Sequence, residues 1–220
     1  MSVQSTDHRQ TSGGFLSRRV ILASVALGAL AAMALDTTLV WDGSERAASV
    51  STQSFSPEEF GTARFPEIRN SIETRAVDAP TLAEAIAADK GAAAEKYGVA
   101  AGIGAVIPVR FTGTVGEGKS GIFAVAVDGV PDELTVRVQT GPAVNGTDLR
   151  DATGTIEFGQ FKNQIEYQNA GAAINDAMKS EVLAPIDNAN LTGKTVDVTG
   201  VFKLINPKSW LVTPVRMSVQ

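Results

Sequence analysis

Two short polar stretches carry the residues best suited to chemistry. The first runs from Thr140 to Asp151 and holds Asn145, Thr147, Asp148, Arg150 and Asp151; the second holds Asn163, Gln164, Glu166 and Tyr167. Arg150, with Asp148 and Asp151 beside it, can bind an anion, or it can lock its own loop through a bidentate ion pair. Asn145-Gly146-Thr147-Asp148 equally suits a turn closed by side-chain-to-backbone hydrogen bonds. Asn163, Gln164, Glu166 and Tyr167 have the amides, carboxylate and aromatic ring that hold sugar hydroxyls and a sugar's apolar face. They can also face the core and satisfy loop backbone groups. Asp148, Asp151 and Glu166 are the only carboxylates here from which a glycoside-hydrolysing pair could come. Such a pair needs a separation of roughly 5–10 Å across a deep cleft. A chain with two Trp and two Tyr is poorly equipped to line one.

Other chemistries are closed by composition. The chain has no cysteine, and its one histidine, His8, lies in the N-terminal tail. That removes disulfides, thiolate metal sites, Cys nucleophiles and His-based catalysis, and no catalytic residue, metal site or cofactor is expected. From Val106 onward ten Lys and Arg face twelve Asp and Glu, within a formal charge of -5 overall. Nucleic-acid binding rests on neutralising phosphates, so nucleic acid is not an expected partner. Gly102-Ile103-Gly104 precedes a strand and lacks a third glycine, so it is no dinucleotide fingerprint.

The elements that must position these stretches follow from periodicity. Val106–Val115, Ile122–Val127, Leu134–Gln139, Thr195–Leu204 and Trp210–Val219 read as strands, with Gly113 and Gly200 inside two of them. Leu134, Val136 and Val138 are expected inward, Arg137 and Gln139 outward. Thr155–Phe158 is a candidate short extra strand. Asn169 to Leu183 reads as a helix on Ile174, Met178 and Val182. The order is β-β-β-α-β-β, and the expected class is α+β, mainly β: an OB-like five-stranded barrel with a helix between strands three and four, over residues 99–220. A helix-flanked antiparallel sheet is the rival.

Residues 42–98 read as a linker and helical preamble. Ser56-Pro57-Glu58-Glu59 suggests a capped helix start, with Phe60, Phe65, Ile68 and Ile72 on one stripe to about Val77. Thr81-Leu82-Ala83-Glu84 suggests a second box, opening a helix that reaches Gly98. The pair is either a stalk or a hairpin against the barrel.

Residues 1–19 are polar and end in Ser17-Arg18-Arg19; Val20 to Leu35 is uncharged and apolar. Sixteen such residues fall between a signal h-region and a spanning helix. Ala32-Met33-Ala34 suits cleavage after Ala34, whereas extension to Trp41 gives an anchor over residues 20–41. Arg18 and Arg19 keep the N-terminal side cytoplasmic either way. The expected place is the periplasm, tethered to the inner membrane by this helix or soluble after cleavage, exported by the general or a twin-arginine route.

Val138-Gln139-Thr140-Gly141-Pro142, Gly146-Thr147-Asp148-Leu149-Arg150-Asp151-Ala152, Phe161-x-Asn163-Gln164-Ile165-Glu166-Tyr167 and Trp210-Leu211-Val212-Thr213-Pro214-Val215 together resemble the predicted periplasmic lipoprotein family called domain of unknown function 2291. The likeness runs from about Leu35 to Val219. It implies an exported, envelope-tethered protein with an OB-like domain, often associated with sugar-uptake ABC transport systems and without an established activity. No cysteine follows the apolar run here, so lipidation is excluded. The expected function is a non-catalytic binding or accessory module that contacts a transporter protein or a small polar ligand. The alternative is a structural or assembly protein of the envelope, and a carbohydrate-active enzyme is the weakest reading.

Overall fold

The structure, a computed structural model, describes residues 55–220, which form one compact unit. The expected tail, apolar helix and linker before Phe55 lie outside the described residues. Among the described residues no helix is long and apolar enough to cross a membrane.

Helix α1 spans Pro57–Arg75 and buries Phe65, Ile68 and Ile72. Ser56 occupies the N-cap position, but its side chain makes no capping hydrogen bond. The expected box with Glu59 therefore does not form. Pro57, pre-set for helical φ, and the acidic pair Glu58 and Glu59 start the helix instead. Strand β1, Val77–Asp78, follows and pairs in parallel with Val109 and Arg110. The second expected helix is two: α2 over Ala79–Ala88 and α3 over Lys90–Tyr97. Pro80 sits in the first turn of α2, where its missing N–H costs nothing, so Thr81 lies inside the helix and caps nothing. The break falls at Asp89, whose carboxylate accepts hydrogen bonds from the backbone N–H of Gly91 (2.8 Å) and Ala92 (3.0 Å). A residue satisfying two orphan donors starts a new helix more effectively than it continues the old one.

After the short strand β2 (Val99–Ala100) come β3 (Ala105–Lys119), β4 (Ile122–Val127) and β5 (Thr135–Gln139), then β6 (Thr195–Lys203) and β7 (Ser209–Val219). Neighbours run β3-β4-β5-β7-β6, and β6 pairs back onto β3, which closes a five-stranded barrel. Only β5–β7 is parallel within it. Gly200 stands at a register shift in β6, and a Cβ there would lie 2.4 Å from the Thr213 carbonyl oxygen. The bend needs the bare backbone.

Alternation along β3 and β6 divides the core. Ile107 and Phe202 point into the barrel with Val125, Val138 and Trp210, and the Phe202 and Trp210 rings stack at 4.5 Å. Their neighbours Val106 and Val201 point out, against Phe65, Ile68 and Ile72 of α1 and against Ile174 and Met178 of the long helix that follows β5. The helices thus lie against the barrel, and apolar runs on both strand faces reflect burial on both sides. Gln139 is a correction: expected outward, it is buried and donates to the Thr213 hydroxyl at 2.9 Å.

Between β5 and β6 the chain forms a single turn, α4 (Asp148–Asp151), and helix α5 (Gln164–Met178), which continues as a π-helical turn through Leu183. Thr155–Phe158 forms no strand; a 3-10 turn at Phe158–Gln160 takes its place. Helix α5 begins at Gln164, five residues before the expected Asn169, because Asn163 caps it.

Candidate functional site

The α4 turn is seated by Leu149, which is fully buried, and this draws the neighbouring Arg150 inward until only 8% of it remains exposed. Burying a guanidinium requires partners for its charge and its N–H groups. Arg150 has both: Nε and Nη2 each approach Asp151 Oδ1 at 2.8 Å, and Nη1 donates to the Tyr167 carbonyl at 3.3 Å. The guanidinium also lies over the Tyr167 ring, 3.7 Å from its centroid. The other Asp151 oxygen accepts from the Thr147 hydroxyl at 2.7 Å.

Lys203, at the end of β6, completes the cluster. Its Nζ lies 3.8 Å from both Asp148 Oδ1 and Asp151 Oδ2. Those are ion-pair distances beyond hydrogen-bonding range, so the ammonium keeps donors for another oxygen. Burial pushes the Asp148 carboxyl above its ordinary range and the Asp151 charge adds to this, while Lys203 opposes it. Arg150, Asp151, Tyr167 and Lys203 line an open cavity of about 720 Å³. Its other walls are mostly apolar, with Ile103, Ile156, Phe158 and Ile205 prominent and Glu157 the further charge.

The structure brings together Thr147, Asp148, Arg150, Asp151 and Tyr167 among the sequence-derived candidates. Of these, Arg150, Asp151 and Tyr167 line the cavity, and the remaining candidates lie outside the cluster. Asn163 accepts from the Glu166 N–H at 2.9 Å and Glu166 accepts from the Lys162 N–H at 3.0 Å, so both serve the start of α5. Gln164 is exposed on the first turn of that helix, and Asn145 is exposed in the loop before α4. Lys203, Glu157, Phe158, Ile103 and Ile205 were not singled out from sequence. A lysine ending an apolar strand was the one available signal, and only barrel closure brings it to Asp148 and Asp151. Among the described residues no cluster of His, Cys, Asp and Glu could hold a metal ion.

A closed β3-β4-β5-β7-β6 barrel with a helix between its third and fourth strands is an OB fold, here with a charged cluster between the barrel and that helix. The chain is similar in structure to an OB-fold protein from Thermotoga maritima, with a TM-score of 0.59 and 18% identity over 76% of this chain and 100% of that one. The family model described as "Predicted periplasmic lipoprotein (DUF2291)" matches residues 27–218, and the chain belongs to that family. No curated protein matches it.

Proposed function

We propose that this chain is a non-catalytic binding or accessory module exposed to the periplasm, held at the inner membrane by its N-terminal apolar segment and serving a sugar-uptake ABC transport system. The observation that carries the binding reading is the cavity beside Arg150, into which Lys203 brings an ammonium with donors to spare. The site's carboxylates support a non-catalytic role. Asp151 is engaged by Arg150 and Thr147, and Asp148 is not among the residues that line the cavity. A second reading, an envelope scaffold without a small ligand, draws on the same ion pair: Arg150 already has partners within its own loop and helix.

A thermal-shift screen of the full chain against sugars, sugar phosphates and small anions, with Lys203→Ala beside it, separates the two. A ligand at ~100 times its dissociation constant should stabilise the fold by ~2.7 kcal/mol. A rise in melting temperature that disappears in Lys203→Ala supports the binding module. Unchanged melting with every compound gives the scaffold reading precedence.

A further inference from the structure

Four large apolar side chains are exposed among the described residues: Ile103 (83%), Ile165 (68%), Ile205 (59%) and Phe158 (51%). Three of them, Ile103, Ile205 and Phe158, line the Arg150 cavity. Ile103 and Ile205 also line a second cavity, about 530 Å³, on their other side. That second cavity runs along α3 and is floored by Ala94, Gly98, Ala105 and Leu204. One face of the barrel therefore carries an isoleucine ridge with a hollow on each flank.

The ridge is built into the backbone. Ile103 stands between Gly102 at φ +59° and Gly104 at φ +91°, conformations that favour glycine, and the loop is closed by Ala101 N–H donating to the Gly104 carbonyl at 3.1 Å. A Cβ on Gly104 would lie 2.8 Å from the Leu204 carbonyl oxygen, so the loop presses against the strand end. Lys90 Nζ donates to the Ile205 carbonyl at 2.6 Å and ties the second isoleucine to α3.

We infer that this face pairs with a second copy of the chain across a two-fold axis, the Ile103 of each copy entering the α3-side hollow of the other. A knob and a hollow side by side on one surface are self-complementary under two-fold rotation. The charges bordering the two hollows agree with self-pairing: Arg150 and Asp151 neutralise each other, and Lys90 and Lys203 are matched by Glu95 and Glu157. A surface so balanced meets its own copy without a like-charge excess. An anionic lipid surface would instead draw a basic excess, which is missing here. Exposed apolar side chains grouped on one face mark an interaction surface more than scattered ones do. The pairing face adjoins the Arg150 cavity through Ile103 and Ile205, but the α3-side hollow contains none of Arg150, Asp151 or Lys203, so either reading can fail alone.

Because the chain has no cysteine, Ile103→Cys in the full-length protein is a single-thiol probe. A short bis-maleimide applied to the cell envelope should link it into a species of twice the mass of the chain as it stands in the envelope, which is 22.9 kDa when unprocessed. Ile165→Cys, also exposed but on α5 and outside both hollows, should not link. In sedimentation equilibrium of the detergent-solubilised full chain, Ile103→Asp should weaken the dimer by roughly tenfold or more, since an unpaired carboxylate would enter an apolar hollow. Its melting temperature should stay unchanged apart from any loss of dimer. A cross-linked species of another mass would assign the face to a different protein and overturn the inference. So would a monomeric unaltered chain, whether the thiol of the Ile103→Cys variant reacts freely with maleimide or is shielded by the chain's own first 54 residues.

Discussion

Arg150 answers at the scale of one side chain whether a buried charge serves the fold or a ligand. Its pairing with Asp151, its hydrogen bond to Tyr167 and its position over the Tyr167 ring together hold α4 against α5. Removing one partner of a buried ion pair leaves the other charge without compensation, and here Thr147 and Lys203 can only partly replace the guanidinium. Arg150→Ala should therefore lower the unfolding free energy by about 3 kcal/mol, at the lower end for such pairs. Arg150→Lys should recover little of it, because an ammonium cannot send two N–H groups to Asp151 while lying flat on a ring. Urea unfolding of these variants, with a double-mutant cycle to Asp151→Asn, measures the coupling; an Arg150→Ala midpoint equal to the parent's would show that the pair contributes nothing. The pairing of Arg150 with a flanking aspartate was legible in Asp148-Leu149-Arg150-Asp151, since charges so close in sequence must meet or both face water. Lys203 was not, because more than fifty residues separate it from Asp148 and only barrel closure brings them together.

At the scale of single elements, the two helix starts make opposite predictions from similar sequences. Both Ser56 and Asn163 are followed three residues later by glutamate, the spacing of a capping box. Only Asn163 uses its side chain, accepting from Glu166 N–H; Ser56 makes no such bond. Asn163→Ala should cost about 1 kcal/mol in urea unfolding. Ser56→Ala should stay within about 0.5 kcal/mol, like an ordinary surface change. Equal losses would mean that the Ser56 hydroxyl caps in solution. The same residues explain a misplaced boundary: a run as polar as Asn163-Gln164-Ile165-Glu166-Tyr167 suits a ligand loop and an exposed helical first turn equally well. The five barrel strands were legible as short apolar runs bounded by turn-forming glycines and prolines, although β3, β6 and β7 are buried on both faces over part of their length. Strands β1 and β2, two residues each, have no period to read and exist through their pairing with β3.

At the scale of the whole molecule, the question is whether the barrel stands without its helices. Strand order alone makes residues 99–220 look self-sufficient, since they contain every barrel strand and α5. The second core argues otherwise. Phe65, Ile68 and Ile72 of α1 are buried against Val106, Val201 and Val215 of the barrel and Ile174 and Met178 of α5. Leu82 and Ile86 of α2 close the first core in the same way. Deleting residues 1–98 would bare a contiguous apolar surface at roughly 25 cal/mol for each Å² exposed. Full burial of each large side chain is worth ~1.5–3 kcal/mol, so these side chains together rival the whole stability of a typical domain. A chain from Val99 to Gln220 should therefore aggregate or unfold without a cooperative transition, whereas Phe55–Gln220 should unfold in one sharp step. Near-ultraviolet circular dichroism during urea titration distinguishes these outcomes through Trp210, packed on Phe202 inside the barrel. If the shorter chain kept that signal to the same urea concentration, the helical layer would be a detachable stalk. The packing of α1 across both barrel and α5 predicts instead that signal and helices are lost together.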